Sequence, residues 1–127
     1  MMSPDNVKYL RDNHPNLFLR IVSIDVSDGW FNLLKATLST IAWEINNLPE
    51  ELKSSIHLTQ IKEKFGGIRI YLNHTTPHIN GVIALASTLS SITCEECGLP
   101  GSQRNIKGWI CTACESCYNK KLSKVKL

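Results

Sequence analysis

Five cysteines carry the most legible chemistry in this chain: Cys94, Cys97, Cys111, Cys114 and Cys117 fall within 24 residues, and the 93 residues before them contain none. Cys94-Glu95-Glu96-Cys97 and Cys114-Glu115-Ser116-Cys117 are C-x2-C pairs separated by 16 residues. Structural zinc sites use this spacing, because two intervening residues let a tight turn aim both sulfurs at one ion while the longer loop brings the second pair opposite to complete a tetrahedron. Cys111 and Cys114 are also a legal pair, at a separation of 13, so replacement of Cys114 or Cys117 by Cys111 stays open. The preferred set is Cys94, Cys97, Cys114 and Cys117 around one structural Zn2+, with Cys111 as a spare thiol on a strand. A disulfide framework suits an even count in a small secreted chain, whereas this count is odd and the start, Met1-Met2-Ser3-Pro4-Asp5, has no basic leader. Redox chemistry needs one active pair in a βαβ setting, which two finger-spaced pairs do not suggest.

No other group of residues has the spacing of a catalytic constellation. Four thiolates leave no open coordination position for water, so the metal is expected to hold structure and perform no hydrolysis. His14, His57, His74 and His78 lie in polar or turn-like contexts, without a nucleophile elbow, phosphate loop or metalloprotease helix nearby. Asp25 and Asp28 suit a loop that caps a helix better than an acid–base pair. The chain is expected not to be an enzyme.

The elements that must position the cysteines read as α+β. Ser3-Pro4 caps a helix to about Asn13, which His14-Pro15-Asn16 interrupts. Leu17 to Ile24 reads as extended. Asp28-Gly29 caps the longest helix, whose apolar stripe is Trp30, Leu33, Leu34, Leu38, Ile41, Ala42 and Ile45, with Trp30 and Trp43 both assigned to the core. A further helical turn spans Glu50 to Ser54. The run from Ser55 to Phe65 changes parity near Gln60, which predicts a bulge or a partly helical stretch, and Gly66-Gly67 predicts a tight hairpin into Ile68-Arg69-Ile70-Tyr71-Leu72. Thr76-Pro77 starts a helix through about Ser91, with Ile79, Val82, Ile83, Ala86, Leu89 and Ser90 inward. That helix runs almost directly into Cys94. The resulting expectation is a helix-and-hairpin body over residues 1–93, with a small antiparallel hairpin or sheet, and a zinc-ribbon-like module with a basic tail over 94–127, docked as one compact unit. The tail from Asn119 to Leu127 is expected to fray.

Length and charge narrow the class. The 127 residues, 43% apolar and 20% charged, fit one globular domain. The longest wholly apolar run, Val82 to Ala86, is far short of the roughly 20 residues that span a bilayer, so a cytoplasmic protein without a membrane partner is expected. Bases and acids balance through Thr93; Arg104, Lys107, Lys120, Lys121, Lys124 and Lys126 against Glu95, Glu96 and Glu115 supply the whole net charge of +3. Four thiolates and one divalent ion would reduce that to about +1. Dedicated nucleic-acid binders usually carry more positive charge.

Gly29-Trp30, the octapeptide Gln60 to Gly67, Cys94 to Gly98, and Trp109-Ile110 through Cys117 together resemble a family of small bacterial and prophage-borne proteins. The resemblance covers nearly the whole chain. In that pattern the position of Cys111 is not cysteine, which favours Cys94, Cys97, Cys114 and Cys117 as ligands. It implies no settled activity and points to a prophage or toxin-linked accessory role. The expected function is thus a non-catalytic, zinc-stabilised protein-binding accessory protein, such as an immunity protein, an antitoxin or a phage-encoded inhibitor of a bacterial protein. Lys62, Glu63, Lys64, Arg69 and Tyr71 on the hairpin are its candidate contact residues. The alternative is a zinc-ribbon nucleic-acid binder that uses the basic C-terminal segment and Trp109 as a stacking platform.

Overall fold

A computed structural model describes residues 1–125. Its elements are α1 (Pro4–Asn13), β1 (Ser23–Asp25), a 3-10 turn (Asp28–Trp30), α2 (Phe31–Asn46), α3 (Glu50–Lys53), β2 (Leu58–Lys64), β3 (Gly67–Leu72), α4 (Pro77–Ser90), β4 (Ser102–Ile106), β5 (Trp109–Ala113) and α5 (Glu115–Val125). The chain is α+β, as its patterning predicts. Asn119 to Val125, expected to fray, instead continue α5, whose Tyr118 and Leu122 pack under the ribbon; Lys126 and Leu127, the end of that tail, lie outside the described residues.

The body is built on a three-stranded sheet of order β1-β2-β3. The hairpin β2–β3 is antiparallel, with a register shift between Leu58 and Gln60 where the parity of the sequence changes. Beside it β1 runs parallel to β2. Ile24, Leu58, Ile61, Ile68 and Ile70 are buried together with Trp30, Leu34, Leu38 and Ile41 of the long helix and Ile79 and Ala86 of α4, forming one apolar core. The helix stripe 0, 3, 4, 8, 11 therefore meets the alternating faces of two strands, which is the contact that makes each element stable. A smaller core forms under the C-terminal ribbon from Cys94, Ile106, Cys111 and Ala113, with Tyr118 and Leu122 packed against it.

Four further local expectations change. Trp43 is not core: it is 66% exposed, because it lies off the stripe that carries Ile41 and Ile45 inward. The stretch Leu17 to Ile24 is strand only from Ser23; Leu17 and Phe18 instead donate their N–H groups back to the carbonyl of His14 at 3.0 and 3.3 Å, closing a turn that tucks Leu17 into the core. Asp28 caps the first helix in place of the second, accepting from the Ser3 N–H at 2.8 Å and from Asn6 Nδ2 at 2.9 Å. The hairpin turn is Phe65-Gly66, with φ of 52° and 79°, so Gly67 is already in β3 opposite Lys64. Both turn residues at positive φ make a primed turn, whose twist matches the strands, and the Glu63 carboxylate fixes it by accepting the Gly66 N–H at 2.7 Å.

Candidate metal centre

Two turns bring four sulfurs together. At the first, the Cys94 N–H donates to Leu99 O at 2.7 Å and the Gly98 N–H to Cys94 O at 3.0 Å, which folds Cys94 and Cys97 toward one point. Gly98 has φ of 80°, a conformation that glycine adopts without steric cost. At the second, the N–H of Cys117 points at Cys114 Sγ, 3.4 Å away, as α5 begins. The sulfurs of Cys94, Cys97, Cys114 and Cys117 all lie within 4.8 Å of one another, with Cys97 and Cys114 at 3.6 Å. A tetrahedral zinc site with Zn–S bonds near 2.3 Å has S···S edges of about 3.8 Å. The donor set and its spacing can thus hold one metal ion.

Cys111 stands outside this group. It is fully buried on β5, opposite Arg104, in the small core beneath the cluster, and burial pushes its thiol up. The thiols of Cys94, Cys97 and Cys117 are each shifted by their surroundings. Burial would raise Cys94, but backbone N–H groups of Cys114, Cys97 and Glu96 outweigh it and bring the thiol down to about 7. Burial and the neighbouring sulfurs push Cys117 up to about 12. At Cys97 the Leu99 N–H favours the thiolate, yet burial and the Cys94 and Cys114 sulfurs outweigh it and the thiol is raised. One thiolate is easy to form and further ones repel it; a cation among the four sulfurs removes that conflict.

The cluster is fastened to the body through Glu95, a residue that sequence reasoning counted only as negative charge. Its N–H donates to Thr112 O at 3.0 Å, its side chain accepts the Thr112 N–H at 2.6 Å, and its carbonyl accepts the Gly29 N–H at 2.8 Å. Burial raises its carboxyl although the Thr112 N–H pulls the other way. Trp30, fully buried, donates its indole N–H to Thr93 O at 2.9 Å. From the other side Thr112 donates its hydroxyl to Gly66 O at 2.6 Å, joining the hairpin turn to β5. The Gly-Trp pair, the hairpin octapeptide and the first knuckle consequently meet at one seam. No single-sequence signal distinguishes Glu95 or Thr112 from surface residues.

The hairpin residues divide between faces. Lys62 pairs with Arg69 and Gln60 with Tyr71 across the strands, so these four and Lys64 share the face away from the core. Glu63 alternates to the inner face, where it holds the turn. The Lys62 ammonium lies 5.9 Å from the Tyr71 ring centre, and Arg69 Nη1 donates to Ser87 Oγ of α4 at 3.1 Å. Among the basic residues of the C-terminal segment, Lys121 pairs with Glu96 at 3.4 Å, Arg104 stacks on Tyr118 and donates to Ala113 O, and Lys107 donates to Val125 O. No described helix is long and apolar enough to cross a membrane. No protein-family model, curated protein or solved structure matches the chain.

Proposed function

We propose that the cysteine cluster binds one structural zinc ion, and that the scaffold it closes is a non-catalytic binding protein that receives an acidic surface of another protein on the outer face of β1-β2-β3. A tetrathiolate of near-tetrahedral spacing suits Zn2+, which needs no ligand-field geometry, and leaves no position open for water. The observation that carries the binding role is the composition of that outer face: Lys62 and Lys64 beside Tyr71, with Arg69 tied to Ser87 at its margin, against the single carboxylate of Asp25. Arg and Tyr are favoured interface anchors, and a face of one charge sign draws a partner of the other. A nucleic-acid role is less well supported, because Arg104, Lys107 and Lys121 are engaged within the fold. The narrowest form of the reading is an immunity protein, antitoxin or inhibitor of a bacterial protein, in line with the resemblance of the Gly29-Trp30, octapeptide and knuckle residues to prophage-borne proteins.

The test is affinity capture with zinc-loaded protein from a nuclease-treated lysate of the source organism, beside a Lys62→Glu, Lys64→Glu double variant. A protein retained by the wild type and lost from the variant is expected, with retention only modestly weakened by salt. Binding of added DNA or RNA, titrated separately on the same zinc-loaded protein and falling steeply with salt, would replace this reading by the nucleic-acid one, since counterion release dominates phosphate binding. Protein retention indifferent to both substitutions would move the interface off the sheet.

A further inference from the structure

A cleft of about 750 Å3 opens on the side of the body away from the cysteine cluster. Its floor is apolar: Leu17, Ile45 and Ile56 reach it although each is almost wholly buried. One wall is α2 with Ala42 and the exposed indole of Trp43; the other is the turn after α1, with Pro15 and Leu19. An indole left 66% exposed at the edge of such a cleft offers a flat ring face at little conformational cost.

The rim is polar and contributes no unpaired charge. Glu50 and Lys53 pair with each other at 3.2 Å. His14 is held below its ordinary pKa by burial, so its imidazole is neutral at neutral pH. Asn13 donates its amide to Tyr9 O at 2.8 Å, which leaves its side-chain oxygen as an acceptor. Asn16 and Asn46 add two further amides, each with an adjacent donor and acceptor.

We infer that this cleft binds a neutral planar heterocycle of the nucleobase or nucleoside class, stacked on Trp43 and read at its edge by the rim amides. Apolar surface on both walls suits a ligand with two apolar faces and a polar edge. A nucleoside can seat its base against Trp43 and keep its hydroxylated ribose at the solvent side of the cleft. The internally neutralised Glu50–Lys53 pair leaves no cation free for a phosphate. The volume falls in the range of small-molecule sites. This inference is independent of the partner proposed for the sheet face.

The test follows the Trp43 indole N–H by NMR in zinc-loaded full-length protein, assigned by its loss in Trp43→Phe. Adenosine, guanosine, cytidine and uridine are titrated separately, beside adenosine monophosphate and methyl glucoside. Saturable shifts are expected for at least one nucleoside, with a Kd on the order of 10^-4 M, typical for a ligand of that size. Binding should weaken about tenfold or more in Trp43→Ala and also weaken in Asn46→Leu, since stacking on an aromatic side chain carries a large share of such affinity. The nucleotide should bind no more tightly than its nucleoside. Because Trp43 and Asn46 are exposed, circular dichroism of both variants should match the wild type. Absence of saturable nucleoside shifts, preference for the glucoside, or undiminished binding in Trp43→Ala would each overturn the assignment. So would concentration-dependent dimerisation abolished by Trp43→Ala, which would make the cleft a self-association surface.

Discussion

Replacing Gly29 by alanine adds one methyl group and should break the seam between body and metal centre. An ideal Cβ at Gly29 would lie 2.2 Å from Cys94 O, 2.3 Å from Glu95 O and 2.4 Å from the Glu95 carbonyl carbon. These are backbone atoms and cannot rotate away, so the two segments must part by at least about 0.8 Å to reach the 3.0 Å that real Cβ atoms respect. Gly29 is not at positive φ, so the effect is purely one of space. Separation forfeits the Gly29–Glu95 bond, loosens the Trp30–Thr93 bond and leaves a buried indole N–H without a partner. A lost hydrogen bond, an unsatisfied buried donor and overpacking together amount to about 3–5 kcal/mol. The assay is urea unfolding of the metal-loaded protein followed by circular dichroism, paired with metal release to a chromogenic chelator. Gly29→Ala should unfold at markedly lower urea and surrender metal at lower chelator concentration. Gly81, in α4 with nothing within 4 Å of its virtual Cβ, is the control, and Gly81→Ala should be neutral or stabilising by up to about 1 kcal/mol. Coincident unfolding curves for Gly29→Ala and wild type would refute the seam.

The remaining expectations concern the cysteines, the tryptophans and the acid limb. Cys114→Ser should lose metal and destabilise the whole chain, because metal binding is coupled to folding, whereas Cys111→Ser should keep one metal per chain at a cost of about 1–3 kcal/mol for a buried hydroxyl; equal metal loss in both would put Cys111 in the ligand set. Trp30→Ala should cost about 3–5 kcal/mol while Trp43→Ala stays within about 0.5 kcal/mol, as thermal melts would show; the reverse order would contradict the burial of the two indoles. The Asp28 carboxyl is held below its ordinary value of 3.8 mainly by the Ser3 N–H. Its contribution is therefore complete above that value and is lost as pH falls through the lowered one. The stability gap between wild type and Asp28→Asn should accordingly close in acid; a gap unchanged between pH 6 and strong acid would exclude the ionic cap.

The sequence makes regular patterns legible and hides contacts between distant segments. Ile68, Ile70 and Leu72 alternate, and the stripe from Trp30 to Ile45 has helical period, so periodicity alone places them. The parity change near Gln60 announces a bulge or a partly helical stretch, and the register shift between Leu58 and Gln60 decides for the bulge. The cysteine spacing likewise reveals the cluster, because a C-x2-C turn is local. What periodicity cannot carry is the partner of an isolated residue. Glu95 reads as a charge beside a cysteine, yet it is buried because two remote segments, Gly29 and Thr112, satisfy its backbone and carboxylate. Glu63 reads as an exposed strand residue, yet its carboxylate answers the Gly66 N–H. Trp43 shows the opposite error, since aromatic size suggests burial while its helical phase leaves it outside. β1 is only three residues long and depends on pairing with β2, so nothing local separates it from the turn before it.

The most direct test of the metal clamp is elemental analysis together with native mass spectrometry of gently purified protein. One zinc per chain is expected, with Cys94, Cys97, Cys114 and Cys117 protected from alkylation until a chelator is added. Metal-free protein with all five thiols reacting alike, at unchanged thermal stability, would contradict it.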